Sequence, residues 1–114
     1  METKNIRPWG YYQILSDASD HKVKRIVVDP GGSLSLQRHK QRSEHWYAVS
    51  GKGVATIDGN TFSLRGGTAV DIPQAATHRL ENLSDVDLVI IEVQTGAYFG
   101  EDDIERLEDK YGRA

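Results

Sequence analysis

Four side chains in this 114-residue chain have the types and spacing to gather one cation. Gln37 and His39 stand two apart. On a β-strand such residues leave the same face, so an amide oxygen and an imidazole point one way while Arg38 points the other. Glu44 follows after a short return of the chain, and His78 comes from a second segment, residues 67–82, behind a turn at Pro73. Two imidazoles, a carboxylate and an amide oxygen suit one divalent ion, with Zn the first expectation and Mn, Fe, Ni or Co also open. The bland alternative is that His39 and His78 are ordinary polar residues and Glu44 a solvated charge. It would win for a single histidine, but four donors at this spacing favour a site.

Converging donors need strands to carry them. Residues 11–94 form short runs rich in Val, Ile, Leu, Thr and Tyr, interrupted by turn signals every eight to twelve residues, which is the punctuation of an all-β chain. The breaks include Asp29-Pro30-Gly31-Gly32, Ser50-Gly51-Lys52-Gly53, Arg65-Gly66-Gly67 and Asp58-Gly59-Asn60, the last holding a strong hairpin dipeptide. The pattern predicts strands near 11–16, 22–29, 33–39, 45–50, 53–57, 61–64, 68–72, 77–82 and 86–94. The tail changes period. Ile104, Leu107 and Tyr111 recur at helical spacing, with Asp102, Asp103 and Glu105 before them and Lys110 after, so a short C-terminal helix is expected.

Composition bounds the function. At 114 residues with 38% hydrophobic and 27% charged side chains, one soluble globular domain spanning 1–114 is expected. A net charge of −3 gives no reason to expect nucleic acid or an acidic membrane surface as partner. The absence of cysteine excludes disulfides, thiolate metal sites and cysteine nucleophiles, and fits a reducing cytoplasm. No stretch approaches the roughly 18 apolar residues of a membrane span, and the first ten residues carry no apolar signal segment.

At this point the sequence resembles the cupin superfamily, whose two motifs run G(X)5HXH(X)3–4E(X)6G and G(X)5PXG(X)2H(X)3N. Gly31, His39, Glu44 and Gly51 fit the first in spacing, and Gly67, Pro73, His78 and Asn82 fit the second. Gln37 stands where many cupins have the first histidine, and Ala75 where the second motif has glycine. Further wording narrows the likeness: Arg7-Pro8-Trp9-Gly10, Val23-Lys24-Arg25-Ile26, Ser35-Leu36-Gln37, Arg42-Ser43-Glu44-His45-Trp46, His78-Arg79-Leu80-Glu81-Asn82 and Gln94 through Tyr98. Over residues 7–113 the chain is similar to the cupin domain of type II phosphomannose isomerases. In that family this unit often follows a mannose-1-phosphate guanylyltransferase domain, which is not in this sequence, so the chain would stand alone or be a fragment.

The resemblance implies an all-β, single-domain cupin, a double-stranded β-helix or jelly-roll barrel. It also implies a metal-dependent aldose–ketose isomerase interconverting mannose 6-phosphate and fructose 6-phosphate, with Gln37, His39, Glu44 and His78 as metal ligands. Lys24, Arg42 and Arg79 are the candidates for sugar and phosphate binding, Tyr98 is favoured by the family wording, and Lys24, Arg42 and Glu92 form the expected catalytic set. Glu92 alternates with Ile90 and Gln94, and an inward carboxylate in an apolar barrel would have a raised pKa suited to a base. Each of these cations, and Glu92, could instead face solvent. His21 and His45 are spare candidates. A homodimer exchanging N-terminal strands, with residues 11–15 as the exchanged strand, is implied by the resemblance alone. Two other readings stand beside the isomerase. One is a non-catalytic metal-containing cupin that binds a small sugar or acid. The other is a cupin Fe(II) oxygenase using His39, Glu44 and His78, against which Gln37 occupies a position a co-substrate would need.

Overall fold

In the computed structural model, which describes residues 3–113, the alternating runs become eleven strands and a single 3-10 turn. They are β1 (Asn5–Arg7), β2 (Gly10–Asp17), β3 (His21–Val28), β4 (Leu36–His39), β5 (Arg42–Ser50), β6 (Lys52–Ile57), β7 (Asn60–Arg65), β8 (Ala69–Ile72), β9 (His78–Glu81), β10 (Leu88–Gly96) and β11 (Ile104–Glu108). A six-stranded sheet runs β1-β2-β3-β10-β5-β8 and a five-stranded sheet runs β11-β4-β9-β6-β7, with all pairs antiparallel. The Asp58-Gly59 hairpin forms as its dipeptide predicts: φ is 47° at Asp58 and 83° at Gly59, and Ile57 pairs with Asn60.

The inward faces of the central strands change character along their length. On β10, Leu88 and Ile90 are followed by Glu92 and Gln94, all buried. β5 runs the opposite way and matches it, with Ala48 and Trp46 preceded by Glu44 and Arg42. β3 contributes Val28 and Ile26, then Lys24. One end of the interior is therefore an apolar core with Ala55, Leu64, Ile72 and Leu80 from neighbouring strands, and the other end is lined by buried polar groups. Buried polar groups cost free energy unless they are paired, so a whole end built of them needs a reason.

Several boundaries move. Only Leu36–His39 of the expected 33–39 strand is regular, and ahead of it Ser33 makes an isolated bridge to Glu81. β5 starts at Arg42 rather than 45, β10 runs to Gly96 rather than 94, and β1 had no counterpart in the pattern. Residues 11–15 lie in β2 and pair with β3 of the same chain. The expected C-terminal helix does not form. Residues 104–108 are β11, which pairs with the edge of β4 in the register Ile104↔His39, Glu105↔Arg38 and Arg106↔Gln37. An unpaired strand edge offers backbone hydrogen bonds that a short helix has to forgo, and the opposed Arg38 and Glu105 add an ion pair at 2.8 Å. Leu107, which the helix would have buried, is 42% exposed, while Tyr111 does pack against the core. Among the described residues no helix is long and apolar enough to cross a membrane.

Candidate metal centre

β4 presents Gln37 and His39, β5 presents Glu44, and β9 presents His78 directly across from Gln37. The turn before β9 fixes how His78 approaches. Ala75 N–H donates to the His39 carbonyl at 2.8 Å, and Ala76 N–H to the Pro73 carbonyl at 3.1 Å. Ala75 has φ 69°, in the left-handed region that costs a side-chain-bearing residue about 1–2 kcal/mol. That backbone requirement explains why the motif has glycine at this position. The motif's Asn82 is structural: fully buried, it donates to the Val28 and Val86 carbonyls at 3.0 and 2.7 Å and accepts from Ser84.

His39 Nε2 lies 3.1 Å from one Glu44 oxygen and His78 Nε2 lies 3.7 Å from the other. All three side chains are buried, and their ligand atoms fall within 4.8 Å of one another. Trp46 Nε1 donates to Glu44 Oε1 at 2.9 Å. Burial by itself pushes the Glu44 carboxyl up, but the His39 hydrogen bond, the charges of His78 and His39 and the Trp46 N–H outweigh it and hold the group at about 2. Burial pushes His78 down, against the attraction of Glu44, so this imidazole is neutral at physiological pH.

This arrangement fits a divalent cation. The Ala76 carbonyl can only accept, so the 3.1 Å contact with His78 Nδ1 places that ring's proton on Nδ1. The Nε2 lone pair then faces a carboxylate oxygen with nothing between them. A metal bonded to both removes that repulsion, and a backbone carbonyl orienting the far nitrogen is the usual support for a histidine ligand. Distances of 3.1 and 3.7 Å also fall below about 4.4 Å, the widest separation of two ligands each ~2.2 Å from one ion. The Gln37 amide nitrogen donates to Ser35, at 3.2 Å to Oγ and 3.4 Å to O, which leaves its oxygen as the free end. His39 Nδ1 is buried without a hydrogen-bond partner.

Around the cluster is a cavity with about 620 Å³ of empty volume counted into its open mouth. Gln37, His39, Glu44, His78, Lys24, Arg42, Arg79 and Glu92 all border it, and Tyr98 does not. Glu92 stands opposite Lys24 on β3. Burial and the neighbouring Glu44 carboxylate push Glu92 up to about 8, against the pull of Lys24. Lys24 lies 3.3 Å from Glu101 and 4.4 Å from the centre of the Tyr12 ring. Arg42, fully buried, donates to Gln94 Oε1 at 3.0 Å and to the Gly100 carbonyl at 2.5 Å, and its Nε lies 3.6 Å from Asp103. Gln94 in turn turns its amide nitrogen toward Glu92, by a short hydrogen bond, and toward Glu44 Oε2 at 3.5 Å.

Arg79 follows His78 on β9 and so leaves the opposite face, where its guanidinium pairs with Glu108 at 3.0 Å. The Tyr98 hydroxyl is held by Asp102 at 2.5 Å on the surface. His45 pairs with Asp71 at 2.7 Å on the outer face of β5, and His21 with Asp20 at 2.8 Å, both away from the cavity. Sequence reasoning did not pick out Trp46 or Gln94. The alternation Arg42, Glu44, Trp46 on β5 and Glu92, Gln94 on β10 carried that signal. Asp103 could not be found this way: it accepts from the Lys40 and Gln41 N–H groups, 63 and 62 residues away in sequence, a contact made only once β11 is docked.

Solved structures place the fold in a class. The chain superposes on a cupin-2 domain, Rru_A2000 from Rhodospirillum rubrum, with a TM-score of 0.75 over 87% of this chain and 66% of that one, at 20% identity. It superposes on the capsular polysaccharide assembling protein CapF from Staphylococcus aureus with a TM-score of 0.80, over 96% of this chain and 35% of that one, at 27% identity. The molecule has the cupin fold.

The family described as "Mannose-6-phosphate isomerase C-terminal" matches residues 1–109, and the chain belongs to it. Among curated relatives it is 51% identical to the alginate biosynthesis protein AlgA of Pseudomonas putida, over 98% of this chain and 24% of the relative. It is 44% identical to the mannose-1-phosphate guanylyltransferase ManC of Salmonella typhimurium, over 99% of this chain and 24% of the relative. The chain thus spans about a quarter of the length of these proteins.

Proposed function

We propose that this chain is a metal-dependent aldose–ketose isomerase acting on mannose 6-phosphate and fructose 6-phosphate. The observation that carries the reading is the meeting of His39, Glu44 and His78 in a cavity that Glu92 and its opposed Lys24 also line, from β10 next to Glu44's strand and β3 beyond it. Membership of the family described as mannose-6-phosphate isomerase C-terminal supports the substrate class, as does similarity to proteins named for mannose 1-phosphate and for polysaccharide synthesis.

In this reading His39, His78, Glu44 and the Gln37 amide oxygen hold the ion, with zinc the first choice. A divalent ion there supplies Lewis acidity, polarising the sugar carbonyl and offsetting the negative charge that develops as the C2 proton leaves. Glu92 is the proton carrier, removing the proton at C2 and returning it at C1 while the O2 hydroxyl proton passes to O1, because it is a buried carboxyl group that lines the cavity and is linked to Glu44 through Gln94. Lys24 holds a substrate oxygen by charge. Arg42 acts through Gln94: with the amide oxygen bound to Arg42, the amide nitrogen must face the two carboxylates. The buried Trp46 and Tyr12 rings limit water around the reacting carbons. Arg79, paired with Glu108 on the outer face of β9, and Tyr98, which does not border the cavity, hold no substrate atom in this reading.

A coupled assay for fructose 6-phosphate formed from mannose 6-phosphate tests this, with the His78→Ala variant and chelator-treated protein alongside. Metal-dependent turnover that disappears in both controls is expected. Protein with metal bound and no turnover would instead make the chain a sugar- or acid-binding module. The homodimer implied by the resemblance belongs to the same proposal, and light scattering that returned a monomer mass would remove it.

A further inference from the structure

Most cationic side chains around the cavity are already matched. Lys24 pairs with Glu101, Arg79 with Glu108 and Arg113 with Asp109, while Arg42 is enclosed by Gln94, Gly100 and Asp103. Two are not. Arg106 has neither an ion pair nor a side-chain hydrogen bond among the described residues, and it borders the cavity. Arg7 also borders it and directs its guanidinium to two neutral oxygens, the Ile6 carbonyl at 2.8 Å and the Tyr12 hydroxyl at 3.2 Å.

Their placement is specific. Arg106 lies directly opposite Gln37 and two residues from Ile104, which lines the cavity, so it leaves β11 on the cavity side while Glu105 and Arg38 pair on the other. Arg7 comes from the other sheet. Its guanidinium carbon is 5.1 Å from the centre of the Tyr12 ring, and Lys24 Nζ is 4.4 Å from the same point. A lone exposed arginine is ordinarily a solvated charge. Here one unmatched guanidinium from each sheet faces the same opening, in a chain whose net charge is −3 and whose neighbouring cations are nearly all neutralised.

We infer that Arg7 and Arg106 form an anion site at the cavity mouth that holds the phosphate of the sugar phosphate, which rests on the isomerase reading above. A guanidinium presents two parallel N–H groups that match two phosphate oxygens, a geometry an ammonium cannot offer. With the phosphate gripped at the mouth, the C1 and C2 end of the sugar extends inward toward Gln37 and the histidines.

The test is calorimetric titration of the zinc-loaded chain with inorganic phosphate and, separately, with mannose 6-phosphate. Arg7→Gln and Arg106→Gln are compared with wild type, and Arg38→Gln removes the same charge from the opposite face of β4 as a control. Each of the first two should weaken phosphate binding roughly tenfold or more, as expected for losing hydrogen bonds to a charged group. Zinc content and the Arg38→Gln affinity should stay at wild-type values, and Arg106→Lys should recover only part of the loss. Phosphate binding equal in all variants, or absent from the wild type at low salt, overturns the site. An inactive wild type that still binds phosphate through Arg7 and Arg106 would sink the isomerase reading alone. Unchanged kcat/KM in both variants of an active enzyme would overturn this inference and leave that reading standing.

Discussion

Glu44 is the residue on which the centre turns, since both histidines and the Trp46 indole address its two oxygens. Its companions on the same strand follow from alternation alone: Arg42, Glu44 and Trp46 face inward, and His45 between them faces out. Trp46→Phe keeps an aromatic ring, though a smaller one, and deletes the N–H that orients the carboxylate. Zinc affinity should fall about 10–100-fold, the usual effect of losing such a support, with the fold retained. Competition against a chromogenic chelator measures it. At Ala75, with φ 69°, glycine removes a steric cost of about 1–2 kcal/mol at a flexibility cost of about 0.5–1 kcal/mol. Ala75→Gly should therefore stabilise the protein by roughly 0.5–1 kcal/mol in urea unfolding. The convergence of His39, Glu44 and His78 was legible in the sequence because strand periodicity and turn residues determine facing. The Gln37 to Ser35 hydrogen bond and the tautomer of His78 were not, because they depend on where the backbone before β9 places the Ala76 carbonyl.

Between elements, the C-terminal segment shows where pattern reading fails and why. Ile104, Leu107 and Tyr111 satisfy a helical period, yet β4 has a free edge that only tertiary structure reveals, and β11 fills it. Consistent with a strand, Leu107 turns outward. Leu107→Ala should change stability by no more than about 0.5 kcal/mol, whereas a residue buried on a docked helix would cost about 2 kcal/mol or more. The same docking brings Asp103 against the β4–β5 turn and Arg42, and Glu101 against Lys24, so the segment that the pattern misread also braces the polar end of the barrel. Hairpins fared better, because Asp58-Gly59 encodes its turn locally and Gly51, with φ 89°, leaves no room for a side chain: a Cβ there would lie 2.2 Å from the Asp87 carbonyl oxygen.

For the molecule as a whole, the split between an apolar core and a polar mouth means that stability and site are separable. Leu64, Leu80, Leu88 and Ile90 hold the sheets together, and the His39, Glu44 and His78 cluster sits at the far end. Because an ion bound only by the folded chain stabilises it, free zinc at a hundred times Kd should add about 2.7 kcal/mol, read as a rise in the urea midpoint that a chelator reverses. The all-β architecture was visible in turn spacing. The resemblance named the family that the comparisons then established. The most direct measurement is turnover of mannose 6-phosphate by chelator-stripped protein as zinc is added back. The account predicts fructose 6-phosphate formation that rises with zinc and levels off at about one ion per chain, the capacity of a single four-donor site. Zinc bound at that stoichiometry with no fructose 6-phosphate at any loading would contradict it.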